Sequence, residues 1–314
     1  MNGDSGGAEI AVICGPTAAG KSAIGLWLAR LAPVTIISAD SRQVYREFDI
    51  GTAKPSREDR ASVPHVGIDV VDPAQRYSAA AGATAADGWI VDALGASRVP
   101  LVVGGTGLYL RALFEPLFHE PALDPARRAE LQLTLASFST VELQRWVREI
   151  DPARAHLGRT QLVRTIEVAC LAGGRMSELH RAMARPPRWR ARYLLVDPVA
   201  VLARRMVARI DEMLDHGWPD EVRRLMQTIP GDAPAWNATG YDTVRRLVRG
   251  ELSLAAAREE ILIATRQYAK RQRTWFRHQL PPDLVTRLDP AMGDWRDVAA
   301  RWLGLSDSSA TAIA

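Results

Sequence analysis

Eight consecutive residues, Gly15-Pro16-Thr17-Ala18-Ala19-Gly20-Lys21-Ser22, satisfy the spacing GxxxxGK[ST]. Glycines in such a run let main-chain N–H groups turn inward around an anion. The lysine supplies a mobile cation, and the final hydroxyl, here Ser22, can ligand Mg2+. The chemistry implied is the holding of a phosphate or diphosphate, whether or not it belongs to a nucleotide. A second group, Asp40-Ser41-Arg42-Gln43, sets a carboxylate beside a hydroxyl, a guanidinium and an amide. Asp40 can hold Mg2+, act as a general base, or cap the start of a helix. Ser41, Arg42 and Gln43 carry donors and acceptors suited to the edge of a nucleobase. In a third group, Gly104-Gly105-Thr106-Gly107, the glycines let a substrate approach the backbone closely and Thr106 offers a hydroxyl. Lys54, in Gly51-Thr52-Ala53-Lys54-Pro55, is either a functional cation or a solvated loop charge.

Of the 40 basic residues only Lys21, Lys54 and Lys270 are lysines. Coding bias accounts for the arginine excess, and lysine stays where a compact point charge resists replacement by a planar fork. Two arginine clusters stand out. One is Arg181, Arg185, Arg188, Arg190 and Arg192. The other lies on a helix over 261–280, where about 100° per residue sets Arg266, Lys270, Arg273 and Arg277 on one stripe and Ile261, Ala264, Tyr268 and Trp275 on the opposite one. No acid occurs between Ile261 and Leu280, so the cationic stripe suits a phosphate backbone.

These groups need a scaffold, and strand signals at Glu9–Cys14, Val34–Ser38 and Val99–Val103, with a helix over Lys21–Leu31, supply it. Each chemical group then follows a strand at the carboxyl edge of a parallel sheet, where α/β folds bind ligands. The fold class expected is α/β, a P-loop NTPase-like parallel sheet with helices on both faces. The turn-rich stretch 51–73 holds one short strand candidate, PHVGIDVVDP. Beyond Phe118 the pattern becomes helical over Pro125–Ala136, Thr140–Ile150, with Ser139 and Glu142 as capping candidates, and Gln161–Leu171. Strand character returns at Arg188–Asp197, then helices run to about 280 before a last strand at Leu284–Leu288. The organisation expected is a core of 8–118 plus 190–305, an all-helical insertion at 119–189 and a flexible tail at 306–314.

With 47% hydrophobic and 24% charged residues, composition excludes disorder and fibrous architecture. No apolar run approaches the ~20 residues of a membrane helix, and the start is acidic and Gly-rich, so no membrane association and a cytoplasmic location are expected. Cys14 and Cys170 are too far apart in sequence and too few to encode a disulfide framework or a zinc site. Cys14, in an apolar strand, reads as a small core residue. A net charge of +4 and a pI of about 9.3 point only weakly to a polyanionic partner.

Seven motifs in one order, GPTAAGKS, SADSRQVY, DIGTAKP, PHVGIDVVDP, PLVVGGTGLYLRAL, ARIDEMLDHGWPDEVRRL and TRQYAKRQRTWFR, resemble the tRNA dimethylallyltransferases over residues 10–278. The resemblance implies transfer of a dimethylallyl group from dimethylallyl diphosphate to N6 of the adenosine at tRNA position 37, beside the anticodon, with Mg2+. It implies that the phosphate loop, often described as nucleotide-binding, holds the donor's diphosphate through Thr17, Lys21 and Ser22, with Arg205 and Arg209 approaching from the other side. Asp40 matches the family's proposed base, Ser41–Gln43, Thr106 and Arg128 match tRNA-contacting positions, and Gly240-Tyr241 matches a GY landmark. Arg164 and Gln161 fall in a further tRNA-contacting stretch, where Gln161 stands at a position that is commonly arginine. Asn237-Ala238-Thr239 replaces a more usual apolar or basic run before GY. A monomer acting on the anticodon stem-loop is expected. Two other classes fit the phosphate loop: a small-molecule kinase using ATP, which GGTGLY and the cationic helix argue against, and a non-catalytic RNA-binding protein, disfavoured by Asp40 and Thr106 converging on one edge.

Overall fold

The computed structural model describes residues 7–115, 121, 123–182 and 188–305. Arg185 and the tail 306–314 lie outside them. The chain divides into two compact units, Met1–Phe114 with Arg188–Ala314, and Glu115–Pro187, so the insertion begins and ends a few residues before the expected 119 and 189.

The larger unit is built on six parallel strands: β1 (Glu9–Cys14), β2 (Val34–Ser38), β3 (His65–Val66), β4 (Val99–Gly104), β5 (Arg190–Val196) and β6 (Val285–Leu288). Their spatial order is β3-β2-β4-β1-β5-β6. Parallel strands need crossover connections, which cover both faces and leave the central strands apolar on both sides. Side chains alternate between those faces along each strand. Ala11, Ile13, Ile36, Leu101, Val103 and Leu194 face one way, against α1 (Lys21–Ala29) and α13 (Trp295–Leu303). Ile10, Val12, Cys14, Ile37, Val102 and Leu195 face the other, against α3 (Ala79–Gly95) and α4 (Gly107–Phe114). Cys14 is a core residue, its thiol pushed up to about 12 by burial. The helix α13 was not anticipated: the cationic helix is followed by β6 and one further helix, whose Trp295 packs edge-on against Trp27 at 5.2 Å.

After β5 come α9 (Leu202–Asp215), α10 (Trp218–Thr228), α11 (Tyr241–Val248) and the long α12 (Leu254–Gln279). They share a core in which Trp218, Tyr241, Val244 and Ile261 surround Phe48 from the loop between β2 and the short α2 (Arg57–Ser62). That loop is thereby held at the carboxyl edge of the sheet.

The smaller unit contains α5 (Pro125–Ala136), α6 (Thr140–Ile150) and α7 (Arg159–Ala172), packed on Leu135, Leu143, Val147, Leu162 and Ile166, followed by α8 (Met176–Ala182). The start of α6 is fixed as the sequence predicts. Ser139 accepts a hydrogen bond from the Glu142 N–H, and the Glu142 carboxylate accepts one from the Ser139 N–H. No helix among the described residues is long and apolar enough to cross a membrane.

Candidate active site

The loop Gly15–Gly20 joins β1 to α1, with φ positive at Gly15, Ala18 and Gly20. Such a turn aims successive N–H groups at a common point in front of the first turn of α1. The Lys21 ammonium donates to the Pro16 carbonyl at 2.7 Å. Burial, reinforced by the nearby Arg209 guanidinium and opposed by Asp40, lowers its pKa to about 8. Two arginines on α9, one turn apart, approach from the other side. Arg205 donates to the Ala19 carbonyl at 2.9 Å. Arg209 is lowered by burial, with Asp40 and Glu212 acting to retain its charge. Cations pressed together without a matching number of acids are electrostatically unfavourable on their own, and a dense anion relieves them.

Asp40 lies just past the end of β2. Its Oδ1 accepts hydrogen bonds from the Arg42 N–H at 2.8 Å and the Gln43 N–H at 3.4 Å. The segment that follows is a turn, so the helix-cap alternative is not realised, although Asp40 makes a comparable local bond. Thr106, past the end of β4, accepts from the Ser41 N–H at 3.2 Å, and its own hydroxyl faces the Ser41 Oγ at 3.5 Å. Tyr268, on α12, is pushed up to about 12, by burial first and then by Asp40, and so keeps its phenol proton at physiological pH. Gln43 is less available than its side chain suggests. Its Oε1 accepts from Ser38 at 2.9 Å and its amide donates to the Thr52 and Ala53 carbonyls at 3.3 and 3.0 Å.

Two cavities meet here. The first, about 520 Å³, is lined by the phosphate loop, Lys21, Ser22, Arg205 and Arg209. The second, about 240 Å³, is walled by Met206, Ile210, Trp218, Ile261 and the Asn237-Ala238-Thr239 segment. Thr17, Ala18, Asp40, Thr52, Arg209 and Tyr268 line both, so Asp40 stands at the junction of a cationic and a partly apolar chamber.

Several residues expected here do other work. Tyr241 is fully buried and donates to Glu221 Oε1 at 2.7 Å, packed against Phe48 and Trp218. The same carboxylate accepts from the Asp49 and Ile50 N–H groups, so Tyr241 supports the DIGT loop from behind rather than facing a partner. Gly240 has φ +90°, and a Cβ there would lie 2.5 Å from the Trp218 ring. Its role is packing. Lys54 is neither a solvated charge nor an accessible cation: its ammonium is buried and donates to the Tyr45 carbonyl, Asp49 and Asp69 at 2.6, 2.7 and 2.5 Å. Three donors on one point charge meet three acceptors, which arginine's fork does not reproduce.

On α12 the stripes are turned from those expected. The buried residues are Ala257, Ile261, Leu262, Ala269, Gln272 and Phe276, because the helix docks on two sides, against α9 and α11 and against α4. Tyr268, Gln272 and Arg271 reach the cavities, which the sequence reading did not anticipate, although the four-residue spacing of Tyr268 and Gln272 would place both on one side. Lys270, Arg266 and Arg277 are exposed, whereas Arg273 is drawn in to pair with Asp197 at 3.0 Å. Of the other arginine cluster, Arg188 pairs with Asp87 at 2.7 Å, and Arg192 pairs with Glu9 at 3.3 Å and lies over the Trp302 ring.

In the smaller unit, Arg128 and Arg164 converge on Glu167, at 3.1 and 2.7 Å, and Gln132 donates to its other oxygen at 2.5 Å. Burial alone raises a carboxyl, but these three partners outweigh it and hold Glu167 below its ordinary range. Gln161 is exposed and accepts from the Gly158 N–H at 3.3 Å.

A family model described as IPP transferase matches residues 43–279, and another described as isopentenyl transferase matches residues 8–69. The chain belongs to the IPP transferase family. Relatives named tRNA dimethylallyltransferase, from Anaeromyxobacter sp. (strain K) and Deinococcus radiodurans, are 42% and 41% identical over 278 and 279 residues, each match covering 86% of this chain and 90% of the relative. Among solved IPP transferase structures, the full-length tRNA isopentenylpyrophosphate transferase of Bacillus halodurans is 30% identical with a TM-score of 0.67, covering 97% of this chain and 98% of that one. A eukaryotic dimethylallyltransferase shares the fold at a TM-score of 0.79 and 24% identity, covering 97% of this chain and 79% of that one.

Proposed function

We propose that this protein transfers a dimethylallyl group from dimethylallyl diphosphate to N6 of adenosine 37 in the anticodon stem-loop of tRNA. The position of Asp40, at the junction of the cationic chamber and the partly apolar chamber walled by Met206, Ile210, Trp218 and Ile261, carries the reading. The phosphate loop, Lys21, Arg205 and Arg209 hold the donor's diphosphate. As N6 attacks C1 of the donor, the C1–O bond breaks and the diphosphate leaves into the cationic chamber, where charge developing on it is stabilised. The amine lone pair is delocalised into the adenine ring, so N6 is a weak nucleophile. Asp40 accepts its proton, and Thr106 with Tyr268 orients the base. The adenine must leave its stack to reach Asp40.

No group of three or more acidic, His or Cys residues suited to a metal occurs among the described residues. Mg2+ keeps several waters and binds through one or two protein oxygens plus phosphate oxygens, and Ser22 offers such an oxygen in the lining of the cationic chamber. Ser22, next to Lys21, would hold it, and the ion would neutralise the leaving diphosphate. The exposed cations Lys270 and Arg266 on α12 contact the tRNA backbone, and the smaller unit contributes Gln161. The enzyme acts as a cytoplasmic monomer.

The test is label transfer from dimethylallyl diphosphate to unmodified tRNA with adenosines at positions 36 to 38, in Mg2+. Label in N6-dimethylallyladenosine at position 37 is expected. ATP-dependent phosphorylation of a small molecule, with no label in tRNA, would replace this reading with the kinase.

A further inference from the structure

Gln272, on α12, is buried to 7% exposure and spends both ends of its amide on two neighbouring loops that line the cationic chamber. Its Oε1 accepts from the N–H of Thr17 in the phosphate loop at 2.8 Å, and its Nε2 donates to the carbonyl of Gly105 after β4 at 2.8 Å. Thr17 and Gly105 belong to different loops, and Gln272 comes from far along the chain. A Cβ on Gly105 would lie 2.4 Å from Nε2, so a side chain at 105 would collide with the amide. The next residue is Thr106, whose hydroxyl holds the Ser41 N–H beside Asp40. A continuous path therefore runs from the diphosphate loop through Gln272 to the acceptor side.

We infer that Gln272 is a positioning residue that fixes the separation between the diphosphate loop and the Gly105–Thr106 loop, and thereby between the departing diphosphate and the base-activating groups. This rests on the prenyl-transfer reading above. Two properties suit the amide to the task. It is a donor at one end and an acceptor at the other, matching an N–H on one loop and a C=O on the other. It is also uncharged, so it adds no field beside Lys21 and Arg209. Misplacement of reacting groups by about 1 Å can cost about 10²-fold in rate even when each substrate still binds.

The variants are Gln272→Met, close in volume with neither hydrogen bond, and Gln272→Glu, which keeps an acceptor for Thr17 but turns a carboxylate oxygen toward the Gly105 carbonyl. Titration with inorganic pyrophosphate counts competent diphosphate sites, and transfer is measured per site with both substrates saturating. Gln272→Met is expected to bind pyrophosphate within about three-fold of the unaltered protein and Gln272→Glu more weakly, because its carboxylate adds negative charge beside the loop, while the per-site transfer rate of both falls about 10²-fold. A per-site rate within three-fold for either variant assigns Gln272 to packing and overturns the inference. So does loss of pyrophosphate binding in the uncharged Gln272→Met, which would make Gln272 part of the phosphate loop's own folding. If the unaltered protein binds pyrophosphate but transfers no prenyl group, the functional reading fails first, and the outcome is distinct from either variant result.

Discussion

The two units use the same residue type in opposite ways. At the carboxyl edge of the sheet, Arg209 and Lys21 lie close together around the phosphate loop, with Asp40 the nearby carboxylate acting on both. In the helical unit, Arg128 and Arg164 meet one buried carboxylate, Glu167, whose capacity is completed by Gln132. The first arrangement is short of negative charge and calls for a ligand. The second is closed. Arginine at a position matching a relative's contact thus indicates a binding role only when no buried acid of the same chain has claimed it.

The largest effects should come from the open arrangement. Asp40→Asn is expected to lower transfer by about 10²–10⁴-fold, and Lys21→Ala by about 10²–10³-fold, with thermal midpoints near that of the unaltered protein. Normal turnover in Asp40→Asn would remove it as the base. The closed arrangement should answer in stability instead. Glu167→Ala leaves two guanidinium groups without their shared acceptor and should destabilise the unit by about 3–5 kcal/mol in denaturant unfolding. A loss of tRNA affinity with unchanged stability would show that Arg128 and Arg164 are available to a partner after all.

The depressed pKa of Lys21 gives a smaller, pH-dependent signature. A charged Lys21 binds pyrophosphate, so affinity should decline as pH rises through about 8, approaching about one decade per unit. For stability the sign is reversed. Between about 8 and the ordinary 10.5 the unfolded chain binds more protons at this site than the folded one, so folding is favoured as pH rises across that window. Isothermal titration of pyrophosphate from pH 7 to 9.5 checks the first statement, and a flat profile would place the binding charge elsewhere.

The smallest effects separate exposed from engaged cations on α12. Lys270→Ala should reduce the log–log salt dependence of tRNA affinity by about one unit, whereas Arg273→Ala, paired with Asp197, should leave the slope unchanged and cost stability. Equal slopes for both variants would mean that the ion pair opens when tRNA binds.

Much of this was legible from the sequence because its causes are local. The strands β1 and β2, the helices α5 and α6 and the Ser139–Glu142 capping box are set by apolar periodicity and by side chains that bond their own neighbours. The phosphate loop belongs to the same class, because its turn and its helix N-terminus are consecutive in the chain. The Ala-rich α3 carries little periodic contrast, whereas α13 does carry the helical spacing, with Trp295, Val298, Ala299 and Trp302 on one side and Gly304 closing the helix.

What the tertiary structure decided is which polar groups remain available. Lys54 looked like loop charge until Asp49 and Asp69 surrounded it, Tyr241 looked like a contact residue until Glu221 reached it, and Gln272 carried no mark until it bridged Thr17 and Gly105. The physical reason is the same in each case. A buried polar group must find a partner, and that partner comes from a distant part of the chain which only the packing of the whole unit brings within hydrogen-bonding reach. The sequence by itself determined the sheet, the phosphate loop and the carboxylate beside it. Packing determined which of its many arginines, and which of its three lysines, are left to meet a phosphate.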